Sequence, residues 1–150
     1  MLQWFCKKEA QVLFILKTTI FRNAPYLLPL IIGGIIMAFV LFNDQITSKE
    51  NVNIDMEDRG YNFGDGIYEV IPIYEGKTIT MQEHMDRFEE SATKLEMALP
   101  YDKQTLIHLL EELKEKNEIH NGIIYVQMTR GISPRAHLYE RNVKGLISGF

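Results

Sequence analysis

The sequence predicts a two-layer α/β (α+β) lobe over residues 37–150, with a mainly antiparallel sheet and two helices. Three observations carry that expectation. Ile67–Tyr74 is a strand-like apolar run, and Ile123–Arg130 alternates Ile124, Val126 and Met128 with Tyr125, Gln127 and Thr129, the period-2 pattern of a half-buried strand. Met81, Met85, Phe88, Ala92 and Leu95 recur at spacings of 4, 3, 4 and 3, which is one apolar helical stripe. Leu106, Leu109, Leu110 and Leu113 form a second stripe. The order is strands, two helices, then strands, which suits a sheet with its helices on one side.

Taken in order, Met37–Phe42 reads as a strand, Asn43-Asp44 as a hairpin turn and Gln45–Ser48 as the return strand. Val52–Asp55 alternates and leads into Asp58–Val70, around which the chain is organised. Gly60, Gly64 and Gly66 mark a backbone that bends tightly there. In the strand that follows, Tyr68 and Val70 share one face, and Ile67, Glu69, Ile71 and Ile73 the other. Pro72 lacks an amide donor, so the strand is at an edge there or carries a bulge. Glu75-Gly76-Lys77 is a turn and Thr78–Thr80 a short pairing strand. Thr80-Met-Gln-Glu83 reads as a capping box that opens the first helix. Asp102 caps a second helix that runs to about Asn117, with Glu111, Glu112, Lys114 and Glu115 on its wet face. Asn121-Gly122 turns the chain into Ile123–Arg130, Gly131-Ile-Ser-Pro134 breaks that strand, and Val143–Phe150 reads as one more.

Composition narrows the function. With 150 residues the chain can bury a core, and 46% hydrophobic with 24% charged residues is ordinary for a globular protein. A net charge of −4 without a basic stripe argues against nucleic acid as a partner. Cys6 is alone, so no intrachain disulfide forms, which suits a cytoplasmic setting. His84, His108, His120 and His137 are scattered and show no zinc-like spacing.

Residues 1–36 differ from the rest. Lys7, Lys8, Lys17 and Arg22 precede an apolar run, Tyr26–Phe42, broken by Pro29, Gly33 and Gly34. A basic flank before an apolar run is the pattern of a membrane anchor, and membrane contact would run only through residues 26–42. The alternative is a translated upstream leader with initiation at Met37. Gly33-Gly34 is encodable by a purine-rich ribosome-binding run, and the apolar run overlaps the expected strand Ala38–Phe42. The leader is the preferred reading.

Three stretches resemble one family. Asp-Arg-Gly-Tyr-Asn-Phe-Gly-Asp-Gly-Ile-Tyr-Glu-Val (58–70) and Glu83-His84-Met-Asp-Arg87-Phe-Glu-Glu-Ser91-Ala92 are similar to motifs of the class IV aminotransferases, the fold-type IV pyridoxal phosphate enzymes. Thr129-Arg130-Gly-Ile-Ser133-Pro134-Arg135-Ala-His137 resembles their D-amino-acid (D-alanine) branch. The resemblance covers Met37 to about Phe150 and implies the N-terminal lobe of a homodimeric enzyme. It implies pyridoxal 5'-phosphate as cofactor, with Arg87 on its phosphate, which suits a guanidinium fork. It further implies that Arg135 and His137 hold the substrate α-carboxylate with Tyr68, reaching into the partner subunit, and that Val70 lines the side-chain pocket. The reaction implied exchanges an amino group between D-alanine and 2-oxoglutarate, so D-amino acids and 2-oxo acids are the expected substrates.

None of the lysines from Lys49 to Lys144 matches the position that bears the cofactor. The resemblance places that Schiff-base lysine in a C-terminal lobe beyond Phe150, so the expectation is a fragment inactive alone. The alternatives are a fragment of a branched-chain aminotransferase or an aminodeoxychorismate lyase, or a membrane-tethered non-catalytic module.

Overall fold

The computed structural model describes residues 38–141 and 143–150. Six strands form one antiparallel sheet. They are β1 (Phe39–Phe42), β2 (Gln45–Ser48), β3 (Gly66–Tyr74), β4 (Lys77–Thr78), β5 (Gly122–Thr129) and β6 (Leu146–Gly149), in the spatial order β2-β1-β6-β5-β3-β4. The helices are α1 (Arg59–Phe63), α2 (Met81–Lys94) and α3 (Lys103–Lys116). The expected two-layer lobe is thus observed, with α1 added to the two long helices.

The core lies between one sheet face and the two long helices. Met81, Met85, Phe88 and Ala92 of α2 and Leu106, Leu109, Leu110 and Leu113 of α3 are buried against Leu41, Ile71, Ile124, Val126 and Ile147 of the sheet. Leu95 departs from its expected place in the stripe: α2 ends at Lys94, and Leu95 is 40% exposed. Along β3 the alternation is as expected: Ile67, Glu69, Ile71 and Ile73 are buried, while Tyr68, Pro72 and Tyr74 are exposed and Val70 is half-buried. Pro72 does sit at an edge. β4 pairs only with Ile73 and Tyr74, and the Pro72 carbonyl accepts from the Ile79 amide at 2.8 Å just past that pairing.

The β1–β2 hairpin turns at Asn43-Asp44, with Asn43 in the left-handed region at φ 56°. The last four residues of the apolar run, Phe39–Phe42, are therefore a sheet strand paired on both sides, and Leu41 is fully buried. Residues 26–37 of that run, and residues 1–36 with their two readings, lie outside the described residues. Among the described residues no helix is long and apolar enough to cross a membrane.

Several local expectations are corrected. Val52–Asp55, though alternating in sequence, has no regular secondary structure. The final strand is shorter than Val143–Phe150 and covers Leu146–Gly149. Thr80 stands at the N-cap of α2 but makes no side-chain cap bond, because its backbone is left-handed (φ 50°, ψ 38°). A capping side chain needs an extended cap residue to reach the second or third helical amide. Here the chain is still pinned to β3 through the Ile79 amide and must reverse at Thr80. Asp102 does cap α3, accepting from the Thr105 amide at 3.0 Å. Glu111 is not simply wetted: it accepts from Thr78 Oγ1 and Lys114 Nζ, both at 2.5 Å, and ties α3 to the β3–β4 hairpin.

Candidate active site

The stretch before β3 is a five-residue helix between two cap residues rather than a plain glycine turn. Asp58 is 1% exposed. Its Oδ1 accepts from the Gly60 and Tyr61 amides at 2.8 and 3.3 Å, and its Oδ2 from Thr129 Oγ1 at 2.7 Å. One carboxylate thus satisfies two orphan amides of α1 and fastens the helix to the end of β5. Gly60 permits this approach, since a Cβ there would lie 2.4 Å from Thr129 Cγ2.

Beside this cap, two arginines converge on one carboxylate oxygen. Arg59 Nε and Arg130 Nε each donate to Asp65 Oδ2 at 2.8 Å. Arg59 is 3% and Arg130 4% exposed. Burial pushes the Asp65 carboxyl up, but the hydrogen bonds from Arg130 and Arg59 outweigh it and hold the group below its usual range. Two cations against one anion leave a surplus positive charge, spread onto backbone carbonyls. Arg130 Nη2 donates to Leu95 O at 2.9 Å, and Arg59 Nη1 to Ala136 O at 2.8 Å. The Arg130 guanidinium also lies 3.9 Å from the Tyr139 ring centroid.

Ala136 belongs to the loop after β5 that carries Arg135 and His137. The loop starts pinned to α1: the Arg59 amide donates to Gly131 O at 2.9 Å, and Asp58 bridges Ile132. Gly131 adopts φ 101°, and a Cβ there would meet Lys144 O at 2.1 Å, so only glycine fits. Arg135 and His137 both approach the ring of Phe63. The Arg135 guanidinium is 5.2 Å and the His137 ring 5.8 Å from the Phe63 ring centroid. His137 opens on a cleft of 580 Å³ walled by Arg59, Phe63, Lys94 and Arg130, among others.

Tyr68 is elsewhere. It is 64% exposed on the sheet face away from the helices and stacks on Tyr125 (centroids 5.6 Å apart), which stacks on Phe150 at 4.9 Å. With Gly64, Gly66, Tyr125 and Gln127 it lines a separate cleft of 210 Å³. Val70 follows two residues later on the same face, in register with Tyr125. Within one chain, then, Tyr68 does not line the cleft that His137 lines.

Arg87 lies on the helix side of β3. Glu69, 6% exposed, accepts from Arg87 Nε at 2.6 Å and Nη2 at 2.5 Å, and its Oε2 lies 2.8 Å from His84 Nδ1. His84 and Arg87 thus share a helix face, as their spacing of three predicts. The Arg87 bonds hold the Glu69 carboxyl below its usual range against the opposing effect of burial, and His84 adds to the lowering. Glu69 in turn raises Arg87. The Arg87 side chain is 61% exposed, and its Nη1 makes no hydrogen bond among the described residues. Its inner edge is fixed by a buried carboxylate while its outer edge keeps donors for an anion.

The model of amino-transferase class IV matches residues 66–148 of this sequence. The chain belongs to the class IV aminotransferases. Enzymes of this family generally use pyridoxal phosphate. The chain is 47% identical over 100 residues to a D-alanine aminotransferase of Listeria innocua, a match covering 66% of this chain and 35% of that protein. It is 43% identical over 115 residues to a D-alanine aminotransferase of Staphylococcus haemolyticus, covering 76% and 41%. The chain therefore spans well under half the length of these curated relatives. Among solved structures, a branched-chain amino acid aminotransferase from Escherichia coli shares the fold at TM-score 0.70 and 16% identity, over 75% of this chain and 39% of that one. A 4-amino-4-deoxychorismate lyase of Pseudomonas aeruginosa gives 0.58 and 22%, over 74% and 38%.

For this class IV aminotransferase lobe, sequence reasoning alone did not single out Asp58, Arg59, Asp65, Glu69 and Arg130 as site residues. Each contacts a residue distant in sequence, 65 positions away for Asp65 and Arg130 and 18 for Glu69 and Arg87. Only Glu69 left a signal, as a charged residue on the apolar face of β3.

Proposed function

We propose that the chain is the N-terminal lobe of a D-amino-acid aminotransferase that exchanges an amino group between D-alanine and 2-oxoglutarate. The observation that carries this reading is the Arg135–His137 pair, two cationic or donor side chains on either side of Ala136, whose carbonyl is tethered, and both near one aromatic ring. Such a pair suits one carboxylate. The D-alanine aminotransferases among the relatives support the same choice of substrate over the branched-chain and lyase alternatives. Tyr68 and Val70 lie on another face of the lobe. They would join the pair across the interface of a homodimer, with Arg135 and His137 serving the partner's site.

The residues present fit a phosphate-bearing cofactor. The outward edge of Arg87 would hold the phosphate, with Glu69 and His84 behind it. Pyridoxal phosphate supplies the electron sink for chemistry at the substrate α-carbon. The lysine that bears it would come from a C-terminal lobe, and this chain alone would show no transamination.

The test is Arg135→Ala in the full-length enzyme, assayed for pyruvate from D-alanine. Losing a charge-assisted pair is expected to lower kcat/KM by about 2–3 kcal/mol, with cofactor still bound. Unchanged D-alanine kinetics, or a preference for branched-chain substrates, would overturn the reading.

A further inference from the structure

Arg59 is 3% exposed, and its recorded bonds run to the chain itself. Its Nη1 donates at 2.8 Å to the carbonyl of Ala136, the residue between Arg135 and His137. That carbonyl belongs to the Ala136–His137 peptide, so fixing it fixes the backbone from which His137 departs and holds the residue next to Arg135. Arg59 is fixed in turn. Its Nε is on Asp65 Oδ2, and its guanidinium lies 4.6 Å from the centroid of Phe63, the ring that Arg135 and His137 also approach. Arg130 holds the same Asp65 oxygen from the other side and reaches Tyr139, two residues beyond His137.

We infer that Arg59, locked by Asp65, is a positioning residue that sets the Arg135–His137 pair through the Ala136 carbonyl. The inference rests on the carboxylate-binding role proposed above for that pair. A lysine cannot replace Arg59, because one ammonium lacks the planar fork that reaches Asp65 and the carbonyl together.

The experiment compares Arg59→Lys with Arg135→Ala in the full-length holoenzyme. Arg59→Lys is expected to raise KM for D-alanine on the order of tenfold, since a displacement of about 1 Å in a positioned group carries costs of that size or more. Cofactor affinity should not change, and kcat should change less than KM. Trypsin cleavage after Arg135 should accelerate in the same variant, while cleavage within α2 and α3 should not. Arg59→Gln, which keeps a donor, serves if the lysine variant does not fold. A KM unchanged in Arg59→Lys but raised in Arg135→Ala would overturn the positioning role alone. A KM unchanged in both would overturn the carboxylate-binding reading and this inference with it. Loop cleavage at the original rate would also count against the tether.

Discussion

Asp65 and Glu69 both take arginine partners, and the two sites differ in what surrounds them. At Asp65, both guanidinium groups are nearly inaccessible, and their donors run to a carboxylate and to backbone carbonyls. At Glu69, the carboxylate is buried, but the Arg87 side chain is 61% exposed with one edge open. At Asp65 the recorded bonds run to the chain itself. An open pair orients one edge inward and presents the other to solvent. The difference separates arginines whose bonds close on the chain from one that keeps an edge open to solvent.

The largest test of that contrast is Asp65→Asn. Removing the charge strands two buried guanidinium groups, and a broken buried pair typically costs about 3–5 kcal/mol. Urea unfolding should show that loss for Asp65→Asn and a distinctly smaller one for Glu69→Gln, whose partner Arg87 can turn to water. Equal losses would erase the distinction between the closed and the open pair.

Next in size is the cap that seats the closed region. Asp58→Ala removes acceptors for two α1 amides and for Thr129, with an expected loss of about 2 kcal/mol of stability in urea unfolding. Thr80→Ala, at a position with the sequence signature of a capping box, should stay within about 0.5 kcal/mol. A comparable loss at Thr80 would mean that its side chain caps α2 after all.

That pair of positions also shows what the sequence disclosed. Strands with an alternating face and the stripes of α2 and α3 were legible, because burial of one face imposes a period on the residues. α1 was not legible: five residues are too few for a period, and its glycines read as a turn. The Thr80 motif was present in the sequence, but the hairpin before it set a left-handed backbone that the motif does not specify. Of the candidate site, Arg87, Tyr68, Arg135 and His137 were proposed through resemblance, whereas Glu69, which holds Arg87, and Arg59, which holds the Ala136 carbonyl, were not. Contacts between residues distant in sequence leave no local pattern.

Acid should expose both carboxylates in graded fashion. The folded-state pKa values of Asp65 and Glu69 are lowered, so the stability they contribute is complete above the ordinary carboxylate range of about 4. It is lost as pH falls through the lowered folded values, because the unfolded chain takes up those protons first. The urea midpoint should therefore drop below about pH 4. The drop should flatten in both Asp65→Asn and Glu69→Gln, and an unchanged drop in either variant would show that its arginine partners do not hold that carboxylate ionised.

The open edge of Arg87 as the phosphate ligand is the central claim, and cofactor affinity tests it most directly. Pyridoxal phosphate and pyridoxal, which lacks the phosphate, would each be titrated into the full-length apoenzyme and its Arg87→Ala variant. Arg87→Ala is expected to weaken pyridoxal phosphate on the order of tenfold to a hundredfold and to leave pyridoxal unaffected. Equal affinity of pyridoxal phosphate for both proteins would contradict that claim.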